Sequence, residues 1–187
     1  MQKRFFSIMV LSISLFACKS VYEKQGDKHL AEGDGLKALQ RYHLVQRGNK
    51  GSKDFAANLT RAYIRGMEQT SDSLGDPEII LTYRERIKNR LPSLANRELT
   101  GVYLKTIGRL AEKLVYVPDP RFRGICKWFI MDAEELKATQ TVQRQMAMVA
   151  RELARIEEEL AKKRGSGPVV TEKDMILNQL KANAGGN

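Results

Sequence analysis

An all-α fold is predicted by three features of the chain. Aromatic, apolar and small residues recur at intervals of three and four from Tyr22 onward, the spacing of one face of a helix. Asp76-Pro77 and Asp119-Pro120 each have the form of a capped helix start with proline at the first helical position. Between Gly124 and Gly165 no proline or glycine interrupts the chain, so a long C-terminal helix of about 60 Å is expected to close the fold. The corresponding divisions are a signal segment at 1–17, a helical domain at 18–117, a long amphipathic helix at 118–164 and a flexible tail with a short helix at 165–187.

The first segment is built to enter a membrane. Lys3 and Arg4 precede an uncharged stretch from Phe5 to Ala17, a basic region followed by an apolar one. As a helix that stretch covers roughly 20 Å at ~1.5 Å per residue, short of a hydrocarbon core of roughly 30 Å, so a cleaved signal is expected rather than a span. Leu15-Phe16-Ala17-Cys18 resembles the bacterial lipobox, although Phe16 stands where a small or β-branched residue is usual. The resemblance implies that the Cys18 sulfur receives a diacylglyceryl group and that cleavage leaves Cys18 as an acylated N-terminus. An ordinary secretory signal with an incidental cysteine is the alternative. Several acyl chains hold a protein stably on a bilayer without spanning it. Lys19 is not the aspartate that retains lipoproteins in the inner membrane of enterobacteria, so the outer membrane is the expected address within the cell envelope.

Thirty-two basic and 22 acidic residues give a formal charge of +10, and loss of Lys3 and Arg4 with the signal leaves +8. A basic excess ordinarily raises nucleic acid as a partner. An exported lipoprotein rarely meets any, so no nucleic acid is expected, and an acidic protein face, anionic headgroups or a cell-wall polymer fit better. A merely soluble basic surface is the plain alternative. With Cys18 acylated, Cys126 has no disulfide partner, and Gly124-Ile125-Cys126-Lys127-Trp128-Phe129 reads as a buried, unreactive setting for it.

From Tyr22 the spacing reads Tyr22-x2-Gln25-Gly26-x2-His29-x8-Ala38-x3-Tyr42-x2-Val45, broken by Gly33-Asp34-Gly35 between two short helices. This resembles the tetratricopeptide repeat, with Gln25, His29 and Lys50 departing from its usual leucine, tyrosine and proline. The resemblance implies a short helical-repeat superhelix in which Gly26 and Ala38 let two antiparallel helices approach while Tyr22, His29 and Tyr42 fill the space between them. One period on, Leu59 and Tyr63 take first-helix positions and Ser52 is a candidate cap. The register is then expected to fail at a polar loop over Gly66–Gly75, until Asp76-Pro77 opens a helix carrying Ile79, Ile80, Tyr83 and Ile87. A third helix after Ser93 carries Leu94, Leu99, Val102, Leu104, Ile107, Leu110 and Leu114, and stops at Val117-Pro118.

The long helix carries Val142, Met146, Val149, Leu153, Ile156 and Leu160 at alternating steps of four and three, a heptad seam of about three heptads, with Leu136 off register. The seam either folds back on the repeats or projects toward another chain, self-association included. The expected arrangement docks Phe122, Ile125, Trp128 and Phe129 on the repeat end and offers 142–160 to a partner. Gly165-Ser166-Gly167-Pro168 ends the helix, and Thr171-Glu172-Lys173-Asp174 has the form of a capping box.

His29 and His43 have no acidic or cysteine neighbours at ligand spacing, and no phosphate-cradling loop or nucleophile motif is present. No catalytic residues, metal or cofactor are expected. A lipid-anchored protein-interaction scaffold in an envelope assembly or secretion complex is the function implied by fold resemblance and address. A basic lipoprotein binding anionic cell-wall polymer or lipid headgroups is the alternative.

Overall fold

The computed structural model describes residues 19–48 and 51–163, and every regular element among them is an α-helix. In order these are α1 (Val21–Ala31), α2 (Gly35–Arg47), α3 (Phe55–Asp72), α4 (Pro77–Lys88), the single turn α5 (Leu91–Leu94), α6 (Arg97–Leu114), α7 (Pro120–Glu135) and α8 (Gln140–Lys163). The expected signal segment 1–17, Cys18, Lys50 and the tail at 165–187 with its capping box lie outside the described residues.

Most helix starts follow from short polar side chains in the local sequence. Ser20, Asp34, Asp76, Asn96 and Asp119 each accept a hydrogen bond from a backbone N–H in the first turn of α1, α2, α4, α6 and α7, satisfying donors that the helix itself leaves unpaired. Both Asp-Pro pairs start helices. Ser52 does not cap α3. Asp54 stands at the cap position, and the Ser52 hydroxyl instead donates to the carboxylate of Glu23.

The described residues divide into two compact units, one reaching to Ala150 and the other starting at Arg151. In the first, α1 packs on α2, α3 on α4 and α6 on α7; α1 also touches α3, and α3 touches α6. The helices α1, α3 and α6 therefore form a row, with α2 and α4 packed on α3 and α7 on both α4 and α6. Leu59, Tyr63, Ile64 and Met67 of α3, Tyr103, Ile107 and Leu110 of α6, and Phe122, Ile125 and Phe129 of α7 are buried. Cys126 is fully buried beside the Ala111 carbonyl, and burial pushes its thiol up to about 12.

Three sequence expectations are corrected. The segment expected as a polar loop from Gly66 belongs largely to α3, which continues to Asp72. Gly66 lies under Leu39 and Tyr83, and the Thr70 hydroxyl donates to the Gly66 carbonyl at 2.8 Å. Polar side chains that bond their own helix backbone read as loop in sequence. The third long helix begins at Arg97, after the separate turn α5 and a left-handed Ala95 (φ 46°). Val102 of that helix, expected on its apolar face, is exposed.

The long helix is two helices. After Glu135 the chain turns through Lys137 (φ 52°), with Ala138 N–H on the Ala133 carbonyl at 2.9 Å and Lys137 N–H on the Glu134 carbonyl at 3.1 Å, the bond pair of a Schellman helix end. Ala138 is buried, and the reversal brings Val142 within reach of Gly108 on α6. Val142, Met146 and Val149 are consequently 2–4% exposed. These members of the expected partner surface are core residues, because burying them gains more than a straight helix that leaves them wet. Leu153 is also buried, while Ile156 and Leu160 are half-buried. The described part of the second unit, 151–163, is helix; Arg155 pairs with Glu152 and Glu159, and Glu158 pairs with Lys162 at 2.7 Å.

Candidate functional site

The row of α1, α3 and α6 carries a cleft of about 490 Å³. Leu30, Ile64 and Val102, one from each helix, supply apolar surface, and Arg61, Arg65, Lys105 and Arg109 supply four cationic side chains against the single carboxylate of Glu68. These positions meet because residues four apart lie on one side of a helix. Arg61 and Arg65 are successive turns of α3, as Lys105 and Arg109 are of α6.

Glu68 is nearly buried and holds the inner wall together. It accepts from Arg65 at 2.7 Å, from Arg109 at 2.8 Å and from the Thr106 hydroxyl at 3.1 Å. Both guanidiniums keep more than half of their side chains in water, so neither is consumed by Glu68. Arg61 donates to the neutral Asn58 side chain at 2.9 Å. Lys105 is exposed and carries no ion pair among the described residues. The cleft is thus a cationic rim around an apolar floor with one resident counterion, and it can take a negatively charged group attached to an apolar body.

Two buried polar clusters fix the helices around it. At the α1 end, Asp27 accepts from the Tyr42 hydroxyl at 2.6 Å, from Asn58 at 3.0 Å and from Lys19 at 2.6 Å. Burial raises the Asp27 carboxyl, but these bonds outweigh it and hold the group below its ordinary value. Burial and Asp27 together push the Tyr42 hydroxyl far above its usual range. Glu23, fully buried one turn earlier, accepts from the Ser52 backbone at 3.1 Å. On the other side of the row, Asp132 of α7 is fully buried and takes Arg84 and Lys88 of α4 and the Tyr103 hydroxyl of α6. The Arg84 guanidinium lies 4.7 Å from the centre of the Trp128 ring.

Of the residues singled out for repeat packing, Gly26, Ala38, Tyr42, Leu59 and Tyr63 are buried. A Cβ on Gly26 would stand 2.5 Å from the Tyr42 ring, so the expected close approach is present. His29 is half-buried and pairs with Glu32 at 3.3 Å. Tyr22 is 47% exposed, because Glu23 takes the buried position one turn before Gly26 that was expected of Tyr22. Trp128 is likewise largely exposed and covers Arg84 instead of docking in the core. Cys18 lies outside the described residues. Sequence reading missed the cleft entirely, although Arg61, Arg65, Lys105 and Arg109 show the four-residue spacing that would have revealed two basic helix faces.

Among the described residues no three His, Cys, Asp or Glu side chains are grouped to hold a metal ion, and no helix is long and apolar enough to cross a membrane. No family model, curated protein or solved structure matches the chain.

Proposed function

We propose that this protein is a lipid-anchored scaffold of the bacterial cell envelope, held in the outer membrane through Cys18, which docks an acidic segment of a partner protein in the cleft of α1, α3 and α6. The observation that carries the reading is the cleft: four cations and one carboxylate around Leu30, Ile64 and Val102. An acidic segment with an apolar residue every turn satisfies both parts of that lining, charge at the rim and area on the floor. The succession of paired helices, with α1, α3 and α6 in a row, supports the tetratricopeptide-like resemblance, since stacked hairpins present such a row as one binding face. No catalytic role is proposed for the cleft.

A photo-crosslinking side chain at Val102, introduced in the native host, tests this directly. An adduct to an acidic peptide of one envelope protein, abolished by Lys105→Glu, is the expected result. Adducts only to lipid or glycan would overturn the reading in favour of anionic polymer or headgroup binding, which the net positive charge would also serve.

A further inference from the structure

Val21 and Tyr22 open α1 and leave much of their apolar surface in water: they are 69% and 47% exposed. They are also two of the first four described residues. The first described residue is Lys19, whose ammonium is tied to Asp27 at 2.6 Å, and Asp27 is tied in turn to α2 through Tyr42 and to α3 through Asn58. Ser20 is extended and caps α1 through the Glu23 N–H at 3.1 Å. Glu23 fixes the loop before α3 through Ser52. The segment following Cys18 is therefore part of the folded domain, where a lipid tether is commonly a loose polar linker.

Chain length then limits where the domain sits. Only Lys19 and Ser20 separate Cys18 from Val21, so the two lie at most about 11 Å apart. A cysteine joined to diacylglycerol lies at headgroup level, so Val21 and Tyr22 are held there too. Tyrosine, with an apolar ring and a polar hydroxyl, favours that layer. Lys24 and Lys53, exposed on α1 and on the loop that Glu23 holds, match anionic headgroups.

We infer that the end of the domain formed by the α1 N-terminus and the loop at 51–54 is a membrane-docking surface, with Val21 and Tyr22 at headgroup depth, so that the domain rests on the bilayer instead of swinging above it. The inference rests on acylation of Cys18. Asn58 bonds Asp27 at one end of α3, and Lys113 pairs with Asp72 at the other. Tyr116, 66% exposed beyond α6, therefore lies about 25 Å away, the length of α3.

The full-length acylated protein, with Trp128→Phe as background, is reconstituted into vesicles of phosphatidylcholine and phosphatidylglycerol carrying bromine on their acyl chains. The expected result is fluorescence quenched several-fold more in Tyr22→Trp than in Tyr116→Trp, and a Val21→Trp protein behaving like Tyr22→Trp. Equal, weak quenching at positions 21, 22 and 116, with intact mass confirming the acyl chains, overturns the docking surface and leaves the lipid anchor standing. An intact mass without acyl chains removes the anchor and this inference with it.

Discussion

Arg84 grips Asp132 with two hydrogen bonds, Nε to Oδ2 at 2.7 Å and a terminal guanidinium nitrogen to Oδ1 at 2.5 Å, and both side chains are buried. The pair joins α4 to α7, and the Tyr103 hydroxyl adds α6 at 2.5 Å. Burial and the Asp132 charge push that hydroxyl well above its ordinary value. A buried carboxylate shared by three helices fixes their register only while all its partners remain.

Removing one partner strands the others. Asp132→Ala leaves a buried guanidinium and a phenol unpaired and is expected to cost about 3–5 kcal/mol. Arg84→Met combined with Asp132→Leu removes both charges and should cost less than Asp132→Ala alone. Urea unfolding of the three proteins checks the order. If the double variant is the least stable, the pair contributes more than the desolvation it requires.

Close approach of α1 and α2 is tested at Gly26. An added Cβ meets the Tyr42 ring at 2.5 Å, so Gly26→Ala is expected to lose about 1–3 kcal/mol despite alanine's higher helix propensity. Tyr42→Leu in the same chain should recover part of the loss, giving a measurable coupling in thermal melts. A stabilised Gly26→Ala protein would disprove the contact.

How far the sequence disclosed the fold is clear from its helix ends. Asp-Pro starts and the Gly33 turn carry residues whose chemistry dictates the geometry, and helices begin or end there. The turns at Leu74 and Lys137 have the same bond pattern as the turn at Gly33 but place a non-glycine residue at positive φ. Neither residue advertises a left-handed conformation, so the turn at Lys137 was invisible apart from Leu136 falling off the heptad register. Buried and half-buried carboxylates were equally hidden: Glu23, Asp27 and Asp132 look like surface charges until partners as far as 29, 31 and 48 residues away are brought beside them. Tyr22 is the complementary case, an aromatic that looks like a core residue but stays half in water while the glutamate beside it is buried.

Acid should unfold the α1 end selectively. The Asp27 carboxyl is held below its ordinary 3.8, so its contribution is complete above that value and is lost as pH falls through the lower folded one. Asp27→Asn keeps the shape and removes the titration. The gap in melting temperature between wild type and Asp27→Asn should therefore be constant from about pH 7 to 5 and narrow below about pH 4. A gap that widens on acidification would show that the carboxyl is raised.

The first turns of α8 belong to the core. Met146, 4% exposed, is expected to cost about 2–5 kcal/mol on replacement by alanine, and a chain ending at residue 138 should lose its cooperative melt. Wild-type stability in Met146→Ala would return 142–149 to the role of a free partner surface.

The cleft is most directly tested by affinity. The acidic peptide identified by crosslinking at Val102, titrated into the full-length protein, should bind about tenfold or more weakly after Arg61→Glu, a loss of ~1.4 kcal/mol or more, and should weaken steeply with added salt. Glu68→Gln, which frees Arg65 and Arg109 from their resident counterion, should bind it more tightly. An affinity unchanged by Arg61→Glu, by salt and by Glu68→Gln would contradict an electrostatic docking site on α1, α3 and α6.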